Sequence, residues 1–332
     1  VALTVITEPD GTVEISVTSQ TAGTSTVTAS INSSSLSRNV TFVADVSTAK
    51  IADLVVIQDN SVADGAMANT LRMRVTDAFG NTLGGQTVSV TADNSAMVAP
   101  TAITGPDGTV EISVTSQTAG ISTVTASINN SSLSRDVTFV ADVRTAQIAD
   151  LVVIKDGSEA DGSTANTLRA RVTDAFGNAL AGQTVSVLAD NGATTAPTVI
   201  TEPDGTVEIS VTSQTAGVST VTASINSSSL SRNVTFVADV RTAQIAVLEV
   251  TQDYAVADGS TANTLRARVT DAFGNTLAGQ TVSVTAGNGA TVAPTAITGP
   301  DGTVEISVTS QTAGISTVTA TINSSSQSRD VT

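Results

Sequence analysis

The sequence repeats itself every 97 residues, and this period limits the fold more than any other feature. Asp77-Ala78-Phe79-Gly80-Asn81 returns as Asp174-Ala175-Phe176-Gly177-Asn178 and as Asp271-Ala272-Phe273-Gly274-Asn275. Pro106-Asp107-Gly108-Thr109-Val110-Glu111-Ile112-Ser113-Val114 also stands at residues 9–17, 203–211 and 300–308. A tandem unit of domain size predicts a line of like domains. We divide the chain into a C-terminal half repeat at 1–47, full repeats at 48–144 and 145–241, and a third repeat at 242–332 that lacks the end of its last strand. The first residue is Val1 and the opening falls mid-repeat, so we read the chain as a stretch of a longer protein.

Within one repeat the pattern is that of strands. Thr167-Leu168-Arg169-Ala170-Arg171-Val172-Thr173 and Thr206-Val207-Glu208-Ile209-Ser210-Val211-Thr212 alternate apolar with polar, as a strand with one buried face requires. Val207, Ile209 and Val211 should face a core, and Glu208 and Ser210 water. Turn formers stand between such runs: Asp161-Gly162, Phe176-Gly177-Asn178, Asn191-Gly192 and Pro203-Asp204-Gly205. Strands are expected near 147–155, 165–174, 183–189, 194–201, 206–212, 218–225 and 231–238. Seven short strands in about 97 residues predict an immunoglobulin-like sandwich of two packed sheets.

Core material is light. Trp is absent and each full repeat holds two Phe, such as Phe176 and Phe236, so Val, Ile, Leu and Ala must fill the interior. Each larger aliphatic contributes about 1.5–3 kcal/mol when buried. Only Val240-Arg241-Thr242-Ala243-Gln244 joins Asp239 to the next alternation at Ile245. A linker this short and β-branched predicts little hinge motion and an extended rod of sandwiches set end to end, at roughly 35–40 Å per domain.

The half repeat at 1–47 holds late strands without early ones. Val13, Ile15 and Val17 therefore lack part of their partner sheet, and order there is expected only if another chain completes it or if it belongs to a longer array.

Charge and composition exclude several functions. A net charge of −16 with only Lys50 and Lys155 as lysines leaves no basic patch for nucleic acid or anionic lipid. No apolar run reaches the ~18 residues of a membrane helix, so no direct membrane insertion is expected in this segment. Without Cys or His there is no disulfide, no thiolate metal site and no His- or Cys-centred catalytic group. No base is placed to activate the many Ser and Thr, so no enzyme is expected and no cofactor is required.

The repeat resembles the bacterial immunoglobulin-like domain of the invasin and intimin group. The matching residues are Ala160-Asp161-Gly162, then Val172-Thr173-Asp174-Ala175-Phe176-Gly177-Asn178 and Gly182-Gln183-Thr184-Val185. Asp204-Gly205 and Ala216-Gly217-Val218-Ser219-Thr220-Val221-Thr222-Ala223 follow. The resemblance spans the whole repeat and recurs in each copy. It implies a stalk segment of a bacterial cell-surface adhesin, often an inverse autotransporter. In that family a barrel in the outer membrane anchors the chain, and a distal domain binds a host or bacterial surface ligand. The present stretch has no barrel, no lectin-like tip and no Cys pair. The alternative is that the repeats themselves adhere, to each other or to glycans, and promote biofilm.

Residues 48–144 and 145–241 differ at 18 of 97 positions, which points to recent duplication and to adjustable length. Candidate sites are few. Calcium could bind between domains at Asp45, Asp142 and Asp239, with Asp161 and Asp258 in nearby loops; Asp53 and Asp150 are replaced by Val247 in the third copy. A Lys–Asn crosslink fails because Lys50 aligns with Gln147 and Lys155 with Gln58. Asn-x-Ser/Thr triplets at Asn32, Asn39, Asn130, Asn226, Asn233 and Asn323 are read as chance in a Ser/Thr-rich chain. Arg169 and Arg171, with Arg266 and Arg268, point outward and could touch a partner; pairing across strands with Glu or Asp is the reading preferred. Pro197 and Pro294 are candidates for blunting a sheet edge.

Overall fold

The structure, a computed structural model, describes residues 4–332. It is all β apart from three short 3-10 turns, and no α-helix occurs among the described residues. Packing divides the chain into two compact units, Val1–Arg144 with Asp174–Asn178, and Thr145–Thr173 with Ala179–Thr332.

In the first unit, β1 (Gly23–Ile31) and β2 (Ser34–Phe42) form an antiparallel hairpin. Their two-residue turn begins at Asn32, whose φ of 52° is a left-handed value that Asn tolerates. The following repeat contains β3 (Lys50–Gln58), β4 (Ser61–Val62), β5 (Asn69–Thr76), β6 (Thr87–Ala92), β7 (Met97–Val98), β8 (Thr101–Ile103), β9 (Thr109–Thr115), β10 (Gly120–Ile128) and β11 (Ser131–Val140). One sheet runs β3-β5-β9-β7 and the other β4-β11-β10-β6-β8. Only the β4–β11 pair is parallel.

The alternation seen in the sequence becomes the core. From one sheet Leu54, Leu71, Met73, Val75, Ile112 and Val114 turn inward, and from the other Val88, Val90, Val124, Ala126, Val137 and Phe139 meet them. Arg72, Arg74 and Glu111 occupy the outward positions between them. A dozen buried aliphatic and aromatic side chains, at about 1.5–3 kcal/mol each for the larger ones, offset the ordering of the backbone.

The second unit carries the same plan twice. In its first repeat the sheets are Gln147–Lys155, Asn166–Thr173, Thr206–Thr212 and Thr194–Thr195, against Ser158–Glu159, Ser228–Val237, Gly217–Ile225, Thr184–Ala189 and Thr198–Ile200. In its second they are Gln244–Gln252, Asn263–Thr270, Thr303–Thr309 and Thr291–Val292, against Thr295–Ile297, Thr281–Ala286, Ser316–Ile322 and Ser325–Val331. Ala255 and Val256, the counterparts of Ser61 and Val62, form no strand among the described residues.

Several expectations change. The strand expected at 194–201 is two strands in different sheets. Pro197 sits at the crossing, where its missing N–H costs no ladder bond and its carbonyl accepts from Val187 at 2.9 Å. Pro197 and Pro294 thus carry the chain from one edge to another and do not merely cap one edge. The last strand starts at Ser228, three residues early, because a two-residue turn closes the hairpin. The two-residue parallel strand Ser158–Glu159 is too short to leave a period in the sequence. Phe176 leaves the core: Phe236 is 1% exposed, Phe176 46%.

One heptapeptide adopts two states. Thr-Val-Glu-Ile-Ser-Val-Thr is identical at 12–18, 109–115, 206–212 and 303–309, yet it is a strand only in the last three. At 12–18 no counterpart of β5 pairs with it among the described residues, and Val13 stays 37% exposed. The hairpin β1–β2 beside it forms without that support.

Candidate functional site at the repeat junctions

Each repeat begins with a held linker. Val46–Thr48 forms a 3-10 turn capped by Asp45, whose side chain accepts from Ser47 N–H; Val240–Thr242 is capped by Asp239 in the same way. The linker is then fixed by the hairpin tip of its own repeat. Asn129 Nδ2 donates to Ala49 O at 3.1 Å, and Ile51 N–H donates to Ser131 Oγ at 3.1 Å. Asn226 with Ala146 and Asn323 with Ala243 repeat the first contact at 3.1 Å. Ser228 and Ser325 repeat the second. The triplets at Asn226 and Asn323, read as chance in sequence, therefore hold amides that order the linker.

The Asp-Ala-Phe-Gly-Asn loop is the other half of the joint. Gly80 takes φ 89°, a left-handed value favoured by glycine, which turns the loop back so that Asn81 returns over Asp77. Asp77 Oδ1 accepts from the N–H groups of Phe79 and Asn81, both at 2.9 Å. Asp77 Oδ2 accepts from Asn81 Nδ2 at 2.8 Å and from the N–H of Asp45, in the preceding half repeat, at 3.2 Å. Asn81 Nδ2 also donates to Gln20 O at 2.9 Å, while Asn81 Oδ1 accepts from Ala22 N–H at 2.8 Å. One carboxamide thus reads both polarities of a backbone turn in the repeat before it.

The same joint recurs. Within the first unit, Asn178 takes Gln117 O at 2.9 Å and Ala119 N–H at 2.8 Å, and Asp174 accepts from Asp142 N–H at 3.1 Å. That docking is why residues 174–178 pack with the first unit. Within the second, Asn275 takes Gln214 O and Ala216 N–H at 2.9 and 2.8 Å, and Asp271 accepts from Asp239 N–H at 3.2 Å.

Asp77, Asp174 and Asp271 are buried, at 1%, 0% and 0% exposure. A buried carboxylate survives in charged form only when its lone pairs are met. The Asn81 amide, aided by the Asn81, Asp45 and Phe79 N–H groups, holds the Asp77 carboxyl down at about 2 against the opposing effect of burial. The second linker support comes from Thr48, whose Oγ1 accepts from Ala78 N–H at 3.2 Å; Thr242 and Ala272 match it at 3.2 Å.

The calcium candidates lie at these joints but face other partners. Asp45 accepts from Ser47 N–H and Oγ at 3.0 and 2.6 Å. Asp142 is bridged by Arg144 through Nε at 2.9 Å, and Asp239 by Arg241 through Nε at 3.0 Å. Arg241 also pairs with Glu159. Asp161 and Asp258 accept from the backbone N–H groups of Ser163 and Thr164, and of Ser260 and Thr261. These bonds, led by the Thr164 and Thr261 N–H, hold both carboxyls well below the usual range. Among the described residues no three His, Cys, Asp or Glu side chains gather as a cation would need. Arg169 and Arg266 stand opposite Glu208 and Glu305 across the strands, while Arg171 and Arg268 face Thr206 and Thr303; of these four only Arg266 closes an ion pair, through Nε to Glu249 at 2.8 Å, among the described residues.

The joint was hidden in the sequence. Asp174–Asn178 reads as a turn, and turns usually serve only their own domain. The signal available was that Asp and Asn recur at every copy with Gly between, beside a linker too short to act alone.

Comparison with known proteins fits this architecture. Residues 51–140, 148–237 and 245–332 each match the bacterial Ig-like domain (group 1). The inverse autotransporter adhesin YeeJ of Escherichia coli (strain K12) is 34% identical over 296 residues, which cover 85% of this chain and 12% of YeeJ. The chain therefore spans about an eighth of that relative. Yersinia pseudotuberculosis InvD shares the fold, with a TM-score of 0.54 at 16% identity over 86% of this chain and 97% of InvD. A crystal structure of invasin, a bacterial integrin-binding protein, aligns at 26% identity and a TM-score of 0.46 over 84% of this chain and 59% of invasin. The chain belongs to the bacterial Ig-like domain (group 1) family, as a tandem array of its repeats.

Proposed function

We propose that this chain is a stalk segment of a bacterial cell-surface adhesin, holding a distal binding domain away from an outer membrane. The observation that carries the reading is the repeated joint. Each linker is pinned by its own hairpin tip and by the loop beside it, and each loop grips the repeat before. A flexible tether would need the opposite, Gly/Ser-rich linkers with free backbone groups. Its acidic, Ser/Thr-rich surface suits a hydrated spacer that repels anionic surfaces. The ligand would belong to the distal domain of the whole protein, as a host or bacterial surface molecule.

Small-angle X-ray scattering tests this. Three and a half domains end to end give a maximum dimension of roughly 120–140 Å. The same value is expected with calcium and with chelator, because the junction carboxylates are held by N–H and Arg donors. A compact particle in both conditions would overturn the stalk.

A second reading rests on Ile103, Ile200 and Ile297, each over 60% exposed on a short edge strand. Apolar side chains recurring along free edges could let the repeats adhere to one another. Aggregation of beads coated with this chain alone, abolished by Ile→Lys at these positions, would favour it.

A further inference from the structure

We infer that the Asp-Ala-Phe-Gly-Asn loop is a self-recognition element whose partner is any repeat presenting a Ser-Gln-Thr-Ala turn, so that repeats are interchangeable and can be removed or added whole with the joint intact. This goes beyond the stalk reading and holds equally for an adhesive array.

The argument starts from what the loop touches. Asn81 binds Gln20 and Ala22 through backbone atoms alone, and so do Asn178 with Gln117 and Ala119 and Asn275 with Gln214 and Ala216. Recognition is of turn shape, not of side chains. That shape is set inside the turn by one hydroxyl. Ser19 Oγ accepts from Thr21 N–H at 3.0 Å and donates to Thr21 O at 2.8 Å. Ser116 and Ser213 do the same for Thr118 and Thr215.

The fourth copy separates preformation from induced fit. Ser310 holds Thr312 with the same pair of bonds, at 2.8 and 3.0 Å, with no Asp-Ala-Phe-Gly-Asn loop docked on it among the described residues. The turn is therefore ready before it is gripped, and docking need not order it. The loop is likewise constant at its three occurrences. None of the 18 differences between residues 48–144 and 145–241 falls on the turn or the loop. The linker agrees too: Asp-Val-Arg-Thr-Ala-Gln-Ile-Ala stands at both 142–149 and 239–246. Joining Arg144 directly to Thr242 recreates that linker without a change, and brings Asn275 to the turn that Asn178 holds in the parent.

The test is that shortened chain, read by amide hydrogen exchange. In the parent, Asn275→Asp should speed exchange of the Ala216 amide about tenfold or more and leave Ala119 alone. In the chain lacking residues 145–241, Ala119 should be as protected as in the parent, and Asn275→Asp should now speed Ala119. Exchange of Ala119 at an undocked rate, or its indifference to Asn275→Asp, would overturn the inference. Loss of the sandwich fold in the shortened chain would also count against it. A lengthened chain with residues 145–241 duplicated gives the independent measurement, with protected Ala216 amides expected in both copies and an unprotected one refuting it.

Discussion

Asn81 Nδ2 lies 2.8 Å from the Asp77 carboxylate and spends its second hydrogen on Gln20, in the repeat before. This pair makes a domain's own turn into part of its neighbour's surface. The counterpart in the second unit is Asn275 with Asp271, also 2.8 Å apart. Asn275→Asp keeps the shape but removes the donor. It sets a second carboxylate against buried Asp271 and releases Gln214 O. Gln214 O is exposed and can turn to water, but buried Asp271 loses its donor, at about 1–3 kcal/mol. The joint should open while the sandwiches on each side keep their fold. Far-UV circular dichroism should be unchanged and the Ala216 amide deprotected. A protected Ala216 in the variant would show that the joint does not depend on this amide.

Acid should loosen the joint at Asp45 and Asp77. Asp77 titrates near 2 in the folded chain, below the ordinary 3.8, because the Asn81 amide and three N–H groups favour its charged form. Between those values the unfolded chain binds the proton and the folded one does not. The stabilisation is thus complete above about pH 4 and is lost as pH falls through 2. Thermal melts of the first 144 residues should be flat in pH from 7 to 5, as far as this group is concerned, and decline from 4 to 2. Asp77→Asn should remove part of that decline, and an equal decline in the variant would assign it elsewhere.

The sandwich was legible because its physics is local. Period-two alternation names the buried face, and Asp-Gly and Asn-Gly pairs name the turns. Val207, Ile209 and Val211 face the core as read. The rest depends on partners that no local pattern carries. The strand at 206–212 and the segment at 12–18 share one sequence and differ only in whether a neighbour is present. Phe176 reads as core material because an aromatic usually is, but its loop is turned outward to the joint. Asn178 reads as a turn residue, and its second role requires knowing where Gln117 lies.

Ser219 is a rule broken inside the core. Its hydroxyl is fully buried without a hydrogen-bond partner, as is that of Ser122, its counterpart 97 residues earlier. Opposite stands Val234, which offers nothing to bond. A hydroxyl buried without a partner costs about 1–3 kcal/mol against one that is bonded. Ser219→Ala removes that burden and leaves a void of about one oxygen atom. The variant should be as stable as the parent, or more stable by about 1 kcal/mol, in urea unfolding. A loss above about 1 kcal/mol would mean that a bound water satisfies the hydroxyl.

The two phenylalanines of a repeat should answer substitution in opposite ways. Phe236 is 1% exposed, on the last strand of its repeat, paired with Ser158 on one side and Gly217 on the other. Truncating it to Ala empties a large volume that neighbouring strands cannot refill, at about 3–5 kcal/mol. Phe176 is 46% exposed and anchors no sheet. Its loop is fixed by Asp174, whose Oδ1 accepts from the Phe176 and Asn178 N–H groups without involving the ring. Phe176→Ala should therefore cost less than about 1 kcal/mol, in the range of exposed substitutions. Urea unfolding of both variants decides it. A large loss at Phe176 would reveal that the ring, and not the Asp–Asn pair, carries the joint.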